Sequence, residues 1–219
     1  MRAQNKPLKP GKPPVGTVNA EQLIVIVHGT WAHFLDKIWW EQKSGWYEWP
    51  ETFPAYLDNE SNGAVYKEIA GSPPPFEWSG RNDHDERILA ANELKVWIDD
   101  VMDPKDKRKL TIVAHSHGGN VALFAAFRHD LHIDKLILLG TPIRTEYPVK
   151  LVNVGEIWNV YSVGDRVQKP GGWPNSRGEA RTLPDSDKIV NVVLEKNPGH
   201  SALHDANVWQ SHHIGSLVK

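Results

Sequence analysis

The chain contains no cysteine among its 219 residues. Disulfide bonds, thiolate catalysis and sulfur-ligated metal sites are therefore excluded. Long apolar runs are also missing: the longest strand-like run is LIVIV, whereas a membrane-spanning helix needs about 20 apolar residues. Residues 1–20 lack an apolar core and do not form a signal peptide as written. We expect a soluble protein without a transmembrane segment. The absence of cysteine does not decide the compartment in which it works.

The chain also lacks a strong charge of either sign, with a formal net charge of −2. A nucleic-acid partner or an anionic membrane surface is therefore not indicated. The stretch NKPLKPGKPPVG within residues 1–20 is rich in proline and lysine, which is typical of an extended tail or of a linker to a fusion partner. The length of the remainder, residues 21–219, predicts a single globular domain.

Short apolar runs rich in β-branched residues predict buried parallel strands. There are five of these runs, at residues 22–27, 109–114, 135–140, 156–163 and 188–195. Helical spacing of apolar residues predicts helices over residues 85–101 and 119–129, and a final helix is predicted after NPGHSALHD, up to about residue 218. This alternation predicts the α/β class, with a mostly parallel sheet covered by helices on both faces.

Two other segments have no clear helical or strand pattern. The tryptophan-rich segment from residue 31 to about residue 57 is predicted to be irregular, and GSPPPFEWSG at residues 71–80 is predicted to be a short strand or a turn. The loop at residues 171–187 is polar and rich in glycine and proline, which fits either a lid or a surface excursion.

Polar residues cluster directly after the predicted strands. These clusters are His28-Gly29-Thr30, His115-Ser116-His117, Asp165 and His200. Because ligands of open α/β sheets bind beyond the carboxyl ends of the strands, we expect these residues to form one site.

The stretch VAHSHGGN allows two interpretations, a metal site at His115 and His117 or a nucleophile at Ser116. Zinc needs three or four ligands in tight geometry, and here the two histidines are followed by Gly118-Gly119-Asn120 instead of further ligands. A strand followed by His-Ser-His and by a Gly-Gly pair that opens a helix is the context of a nucleophile elbow. The sequence therefore favours Ser116 as a nucleophile, without a metal or cofactor.

The elbow explains the small residues around Ser116. A strained turn at the serine requires tiny residues two positions to either side. Gly118 meets this requirement, and Ala114 stands where the motif usually has glycine. The positive end of the following helix would favour a developing anion.

The motifs IVIVHGT, VAHSHGGNVAL, LLGTP, SVGDRV and PGHSALHD follow one another in the order found in the α/β-hydrolase superfamily. The chain resembles the small lipases and esterases of that superfamily from Ile24 to Asp205, which is nearly its whole length apart from the tail. In addition, FEWSGRN at residues 76–82 resembles lipase-like domains of bacterial secreted effectors. The resemblance implies an α/β-hydrolase catalytic domain over residues 21–219, with a minimal cap domain or none.

The triad order in this superfamily is serine, acid and then histidine. The resemblance implies that Asp165 in YSVGDRV is the acid, although an aspartate there could instead cap local N–H groups in a turn. Asp185 and Asp187 are weaker candidates because they precede the last strand.

Four histidines compete for the role of the base. His200 directly follows the last strand, where the superfamily places its histidine, and is our prediction. His204 comes one helical turn later and is expected to have a structural role. His212 and His213 fall within the predicted final helix, away from the strand ends.

The resemblance also implies an oxyanion hole. The backbone N–H of His117 is one predicted donor and that of Thr30 is the other, with Trp31 as the alternative to Thr30. Trp31 is also our candidate for a substrate-binding wall, although the tryptophans around it could equally hold an irregular segment together. His28 and His115 are expected to be buried scaffolding.

We therefore expect a serine esterase or lipase that acts on a small-molecule or lipid ester through an acyl-enzyme. Three alternatives share the same residues or fold: a thioesterase or amidase, an effector that cleaves membrane phospholipid, and a hydrolase-fold binding protein without catalysis. A missing triad member would mark the last of these, and none is missing.

Overall fold

The computed structural model describes residues 21–30, 52–168 and 181–219. The predicted tail at residues 1–20, Trp31 and the tryptophan-rich segment up to residue 51 lie outside the described residues, as does most of the predicted loop at residues 171–187.

A five-stranded parallel sheet organises the described part of the chain. Its strands are β1 (Gln22–Val27), β2 (Lys109–His115), β3 (Ile133–Leu139), β4 (Val154–Ser162) and β5 (Ile189–Leu194), and they lie side by side in chain order. Each neighbouring pair is parallel. All five predicted strands are confirmed, with ends that differ from the prediction by no more than two residues.

Helices cover both faces of the sheet, as the sequence predicted. The described α-helices are α1 (Phe53–Glu60), α2 (His84–Val101), α3 (His117–Arg128) and α4 (Ala206–Ser211). Alternate residues of β1 point to opposite faces, so that Val25 belongs to the core beneath α2 and α3, whereas Ile24 belongs to the core beneath α1 and α4. Each face of the sheet therefore has its own apolar core.

Helix α1 was not predicted, because it lies partly within the segment that we expected to be irregular. The Thr52 side chain caps its first turn by accepting the Ala55 N–H at 3.4 Å. Its apolar residues pack on a residue from the far end of the chain: the rings of Phe53 and Trp209 meet edge to face, with centroids 5.1 Å apart. A helix of eight residues stabilised by so distant a contact has little local signal.

The prediction of one continuous final helix was also wrong. Helix α4 ends at Ser211, His213 adopts a left-handed conformation with φ 54°, and a separate 3-10 helix follows at Ile214–Val218. A left-handed residue cannot continue a right-handed helix, so the chain turns there. Residues 71–80 form no strand, but a turn lies at their start, where the Ser72 N–H donates to the Ile69 carbonyl at 2.9 Å, and Phe76 and Trp78 are buried.

Because all five strands are parallel, their carboxyl ends lie at one end of the sheet. After β1 the chain returns to the outer side of that strand, where Val65 forms a parallel bridge with Ile24. Helix α2 then crosses to the other side of β1, where β2 begins. Ligands of open α/β sheets bind beyond the carboxyl ends of the strands. None of the described helices has the length and apolar character needed to span a membrane.

Candidate active site

Ser116 occupies a strained turn between β2 and α3. Its backbone angles are φ 51° and ψ −131°, in a region that residues other than glycine rarely adopt. The surrounding structure holds this conformation: the Ser116 N–H donates to the Leu139 carbonyl at 2.9 Å, and the Ser116 carbonyl accepts from the Gly119 N–H at 3.0 Å. The serine thus stands at the carboxyl end of the sheet and at the start of a helix, as a nucleophile elbow requires.

Two glycines let the elbow and the loop after β1 approach each other. A Cβ on Gly118 would lie 2.4 Å from the His28 carbonyl oxygen, and a Cβ on Gly29 would lie 2.8 Å from the Ser116 Cβ. His28 therefore lies against Gly118, and Gly29 lies against Ser116. Ala114, which replaces the usual glycine of the motif, is a fully buried residue of β2.

Replacing Gly118 by alanine is expected to lower the free energy of unfolding by about 3 kcal/mol, because a methyl group would overlap two backbone carbonyls that cannot rotate away. Gly199→Ala is the matched control, since a Cβ there meets nothing within 4 Å and φ is −70°. We expect the control to be neutral or to stabilise by about 0.5 kcal/mol. Urea unfolding of both variants tests this, and equal midpoints would contradict the close approach.

Asp165 and His200 are joined by a hydrogen bond. The distance between His200 Nδ1 and Asp165 Oδ2 is 2.7 Å, so the imidazole donates from Nδ1 to the carboxylate. Asp165 is completely buried, whereas the His200 side chain keeps 14% of its surface exposed. The structure therefore brings together the predicted acid and base across 35 residues of sequence.

Backbone groups hold the Asp165 carboxylate in place. Its Oδ1 accepts the N–H groups of Val167 at 2.8 Å and Gln168 at 3.0 Å, which leaves Oδ2 for His200. The aspartate thus does cap a local turn, and it also orients the imidazole. The two readings that the sequence left open for Asp165 are not exclusive.

Gly140 connects this pair to the serine. It follows Leu139, whose carbonyl binds the Ser116 N–H. It has φ 59°, and a Cβ there would lie 3.0 Å from Asp165 Oδ2 and 3.2 Å from His200 Nδ1. The end of β3 is therefore the point at which Ser116, Asp165 and His200 converge. The sequence contained Gly140 within LLGTP, but it gave no sign of this close approach.

The competing candidates lie elsewhere. The His204 ring is buried and meets the ring of His115 edge to face, with centroids 4.5 Å apart. His212 bonds to the carbonyls of Val208 and Glu195. Asp185 and Asp187 are exposed and precede β5, so they lie at the amino end of that strand and not at its carboxyl end.

The side chains of His115 and His117 have separate hydrogen-bond partners. The His115 Nε2 donates to the His200 carbonyl at 3.2 Å, whereas the His117 Nδ1 accepts from the Asn120 amide at 2.9 Å. Within residues 21–30, 52–168 and 181–219, no three histidine, aspartate or glutamate side chains are grouped to hold a metal.

Both imidazoles are neutral. Burial, together with the neighbouring His204, holds the pKa of His115 well below its usual value. Burial, followed by the positive charge of Arg87, lowers the pKa of His117 to about 2. His115 is thus an uncharged ring packed beside His200, with centroids 4.5 Å apart, which fits the scaffolding role that the sequence suggested.

The two predicted oxyanion donors lie on the segments that flank the serine. His117 is the first residue of α3, and Thr30 directly follows Gly29, which touches Ser116. Trp31, the alternative donor and the candidate substrate wall, lies outside the described residues.

One contact of the loop after β1 (residues 28–30) was not foreseen from the sequence. Trp78, in the FEWSGRN stretch, stacks on His28 with ring centroids 5.6 Å apart and an interplanar angle of 13°. The motif itself was visible in the sequence, but nothing in it indicated that Trp78 would meet a residue 50 positions earlier.

The chain is similar to known proteins in its sequence pattern and in its fold. A family model described as the alpha/beta hydrolase fold matches residues 22–205. No curated protein matches the sequence. Among solved structures, the chain is similar to the Bacillus cereus carboxylesterase, with a TM-score of 0.51 and 12% identity over 94% of this chain and 92% of that one.

Two further solved structures have the same TM-score. Aspergillus fumigatus lipase B is 13% identical, and the match covers 88% of this chain but only 52% of the lipase. The Agrobacterium tumefaciens protein Atu2452, described as of unknown function, is 13% identical over 90% of this chain and 93% of that one. At such identities these likenesses show a shared fold.

Proposed function

Because the chain belongs to the α/β-hydrolase family, we propose that it is a serine hydrolase that cleaves carboxylic esters through Ser116, His200 and Asp165. The observation that carries this proposal is the hydrogen bond of 2.7 Å between His200 Nδ1 and the buried Asp165 carboxylate, at the strand end that also binds the Ser116 N–H. A histidine oriented by a buried carboxylate is the pair that activates a hydroxyl nucleophile, and Ser116 is the hydroxyl that we propose it activates.

The proposed reaction has two steps. The Ser116 Oγ attacks the ester carbonyl carbon while His200 Nε2 takes its proton, and the tetrahedral intermediate then expels the alcohol, which receives that proton. In the second step a water molecule attacks the acyl-enzyme, again with His200 as the base, and the carboxylic acid leaves. Asp165 keeps the proton of His200 on Nδ1, so that Nε2 is free to accept.

The oxyanion of each tetrahedral intermediate is proposed to bind the backbone N–H groups of Thr30 and His117. Each donor aimed at the developing charge contributes on the order of 3 kcal/mol to transition-state stabilisation. The close contact of Gly29 with Ser116 supports this assignment, because Gly29 directly precedes Thr30 in the chain. The position of His117 in the first turn of α3 adds the positive end of the helix.

Carboxylic esters are the proposed substrate class, to which the carboxylesterase and the lipase with similar folds lend support. The substrate is thus proposed to be a small-molecule or lipid ester, and no bound cofactor takes part in the two steps above. Residues 1–20 are proposed to act as a tail or linker to a further partner, on the strength of their composition.

A fluorophosphonate probe, which labels activated serines, tests the proposal. Wild type is expected to be labelled at Ser116, as mapped by mass spectrometry, and labelling should disappear in Ser116→Ala and His200→Ala. His204→Ala is the matched control, because it removes a neighbouring buried histidine that packs on His115 rather than on Asp165. It should remain labelled.

Other outcomes have definite meanings. Loss of labelling in His204→Ala with retention in His200→Ala would assign the base to His204 instead. A folded wild type that is not labelled would favour a hydrolase-fold binding protein without catalysis. Once labelling is established, chromogenic esters, thioesters and amides separate the reaction classes, and fatty acid release from liposomes tests the phospholipase alternative.

A further inference from the structure

The side chain of His28 bonds to the peptide that follows it. Its Nδ1 lies 2.8 Å from the Gly29 carbonyl oxygen. A carbonyl can only accept, so Nδ1 carries the proton. On the other side of the ring, Nε2 accepts the backbone N–H of Trp78 at 3.3 Å. Both contacts require the same neutral tautomer of His28.

This bond fixes the direction of the Thr30 N–H. The Gly29 carbonyl and the Thr30 N–H belong to one planar trans peptide, in which they point in opposite directions. Holding the carbonyl against His28 therefore sets where the N–H points. Glycine at position 29 would otherwise give this peptide unusual rotational freedom.

Trp78 in turn fixes His28. Its backbone N–H bonds to Nε2, its indole Nε1–H donates to the His28 carbonyl at 2.8 Å, and the two rings are stacked. Trp78 itself is buried, with 4% of its surface exposed. The His28 ring is thus held by the hydrogen bond at Nε2 and by stacking on Trp78, and the His28 backbone is held by the hydrogen bond to its carbonyl.

We propose that His28 and Trp78 are positioning residues that aim the Thr30 N–H at the oxyanion beside Ser116. The inference rests on the proposed function, since it assigns a role within the same reaction. It assigns the FEWSGRN stretch a task in catalysis: its tryptophan orients a donor 48 residues away (78 − 30) without touching the substrate. A misdirected donor would weaken binding of the transition state while leaving substrate binding unchanged.

Three variants test the contacts that link Trp78 to His28 and His28 to the Gly29 carbonyl. Trp78→Phe keeps a ring and the backbone N–H but removes the indole bond to the His28 carbonyl. His28→Phe keeps a ring on Trp78 but removes the donor to Gly29. His28→Asn restores a donor near the position of Nδ1 and serves as the conservative rescue.

The matched control is Trp97→Phe. Trp97 also donates its indole N–H to a carbonyl, that of Pro74, at 2.8 Å, but it lies on α2 and packs on Tyr66 and Phe76. The Trp97→Phe variant loses the same kind of bond, but to the Pro74 carbonyl instead of the His28 carbonyl.

The measurements are kcat and KM on p-nitrophenyl butyrate and the affinity for an aryl trifluoromethyl ketone, which forms a tetrahedral oxyanion on an activated serine. We expect kcat to fall about 10-fold in Trp78→Phe and about 100-fold in His28→Phe, with KM unchanged. The affinity for the ketone should fall by the same factors. His28→Asn should recover most of the loss, and Trp97→Phe should match wild type in both measurements.

Opposite results would overturn the inference. If wild type binds the ketone and the His28 and Trp78 variants bind it equally well, the residues do not position the donor, although the proposed function stands. Equal losses in Trp97→Phe and Trp78→Phe would indicate a general effect of destabilisation. A wild type that neither turns over the ester nor binds the ketone would overturn the proposed function together with this inference.

Discussion

Replacing Ser116 by alanine is expected to lower kcat on an activated ester by about 10⁶-fold, with folding unaffected. In the proposed reaction Ser116 and His200 are expected to act as one unit, because a base is useful only while it can take a proton from the serine. His200→Ala should therefore cost about as much as Ser116→Ala, and the double variant should be no worse than either single one.

Steady-state kinetics on all three variants, together with their unfolding midpoints, measure this non-additivity. His204→Ala is again the control and should retain kcat near the wild-type value. Residual activity reflects the oxyanion donors and substrate binding alone, so it should be similar in the three variants. Losses that add up in the double variant would show that the two side chains act independently, which contradicts a shared proton transfer.

Asp165→Asn is expected to lower kcat by about 10⁴-fold while preserving the fold. The backbone N–H groups of Val167 and Gln168 need an acceptor at Oδ1, so the new amide would turn its NH₂ group towards His200. An NH₂ group facing Nδ1 forces the imidazole proton onto Nε2. In that tautomer His200 cannot accept the serine proton, although every atom keeps nearly the same position.

Asp205→Asn provides the control for this substitution. Asp205 also accepts a backbone N–H, that of Asn207 at 2.7 Å, but its carboxylate caps α4. We expect Asp205→Asn to alter kcat less than about twofold, since asparagine also caps helices well. Activity of Asp165→Asn within tenfold of wild type would remove Asp165 from the proposed triad and leave its role as the cap of a turn.

Local patterns in the sequence accounted for most of the fold. The five strands could be predicted because buried parallel strands are continuous apolar runs between turn residues, and QLIVIV begins and ends where β1 does. The elbow could be predicted because its requirements are local: a strand, a serine, small flanks and a helix within a dozen residues. The strained angles of Ser116 agree with that prediction.

Elements that depend on distant contacts could not be predicted in this way. Helix α1 is short and packs on Trp209, about 150 residues later, and the break at His213 depends on how the chain end meets α1. Neither feature leaves a periodic pattern long enough to be recognised. The sequence likewise could not show which of His200 and His204 contacts Asp165.

The sequence by itself determined the class of fold, the order of its strands along the chain and the identity of the residue at the elbow, because each of these follows from neighbouring residues. Only the tertiary structure decided which histidine meets Asp165, how closely Gly29, Gly118 and Gly140 bring the backbone segments together, and that Trp78 holds His28. These are relations between segments separated by tens of residues. Distance in space, and not position in the chain, sets the strength of hydrogen bonds and packing, so such relations exist only once the sheet has assembled.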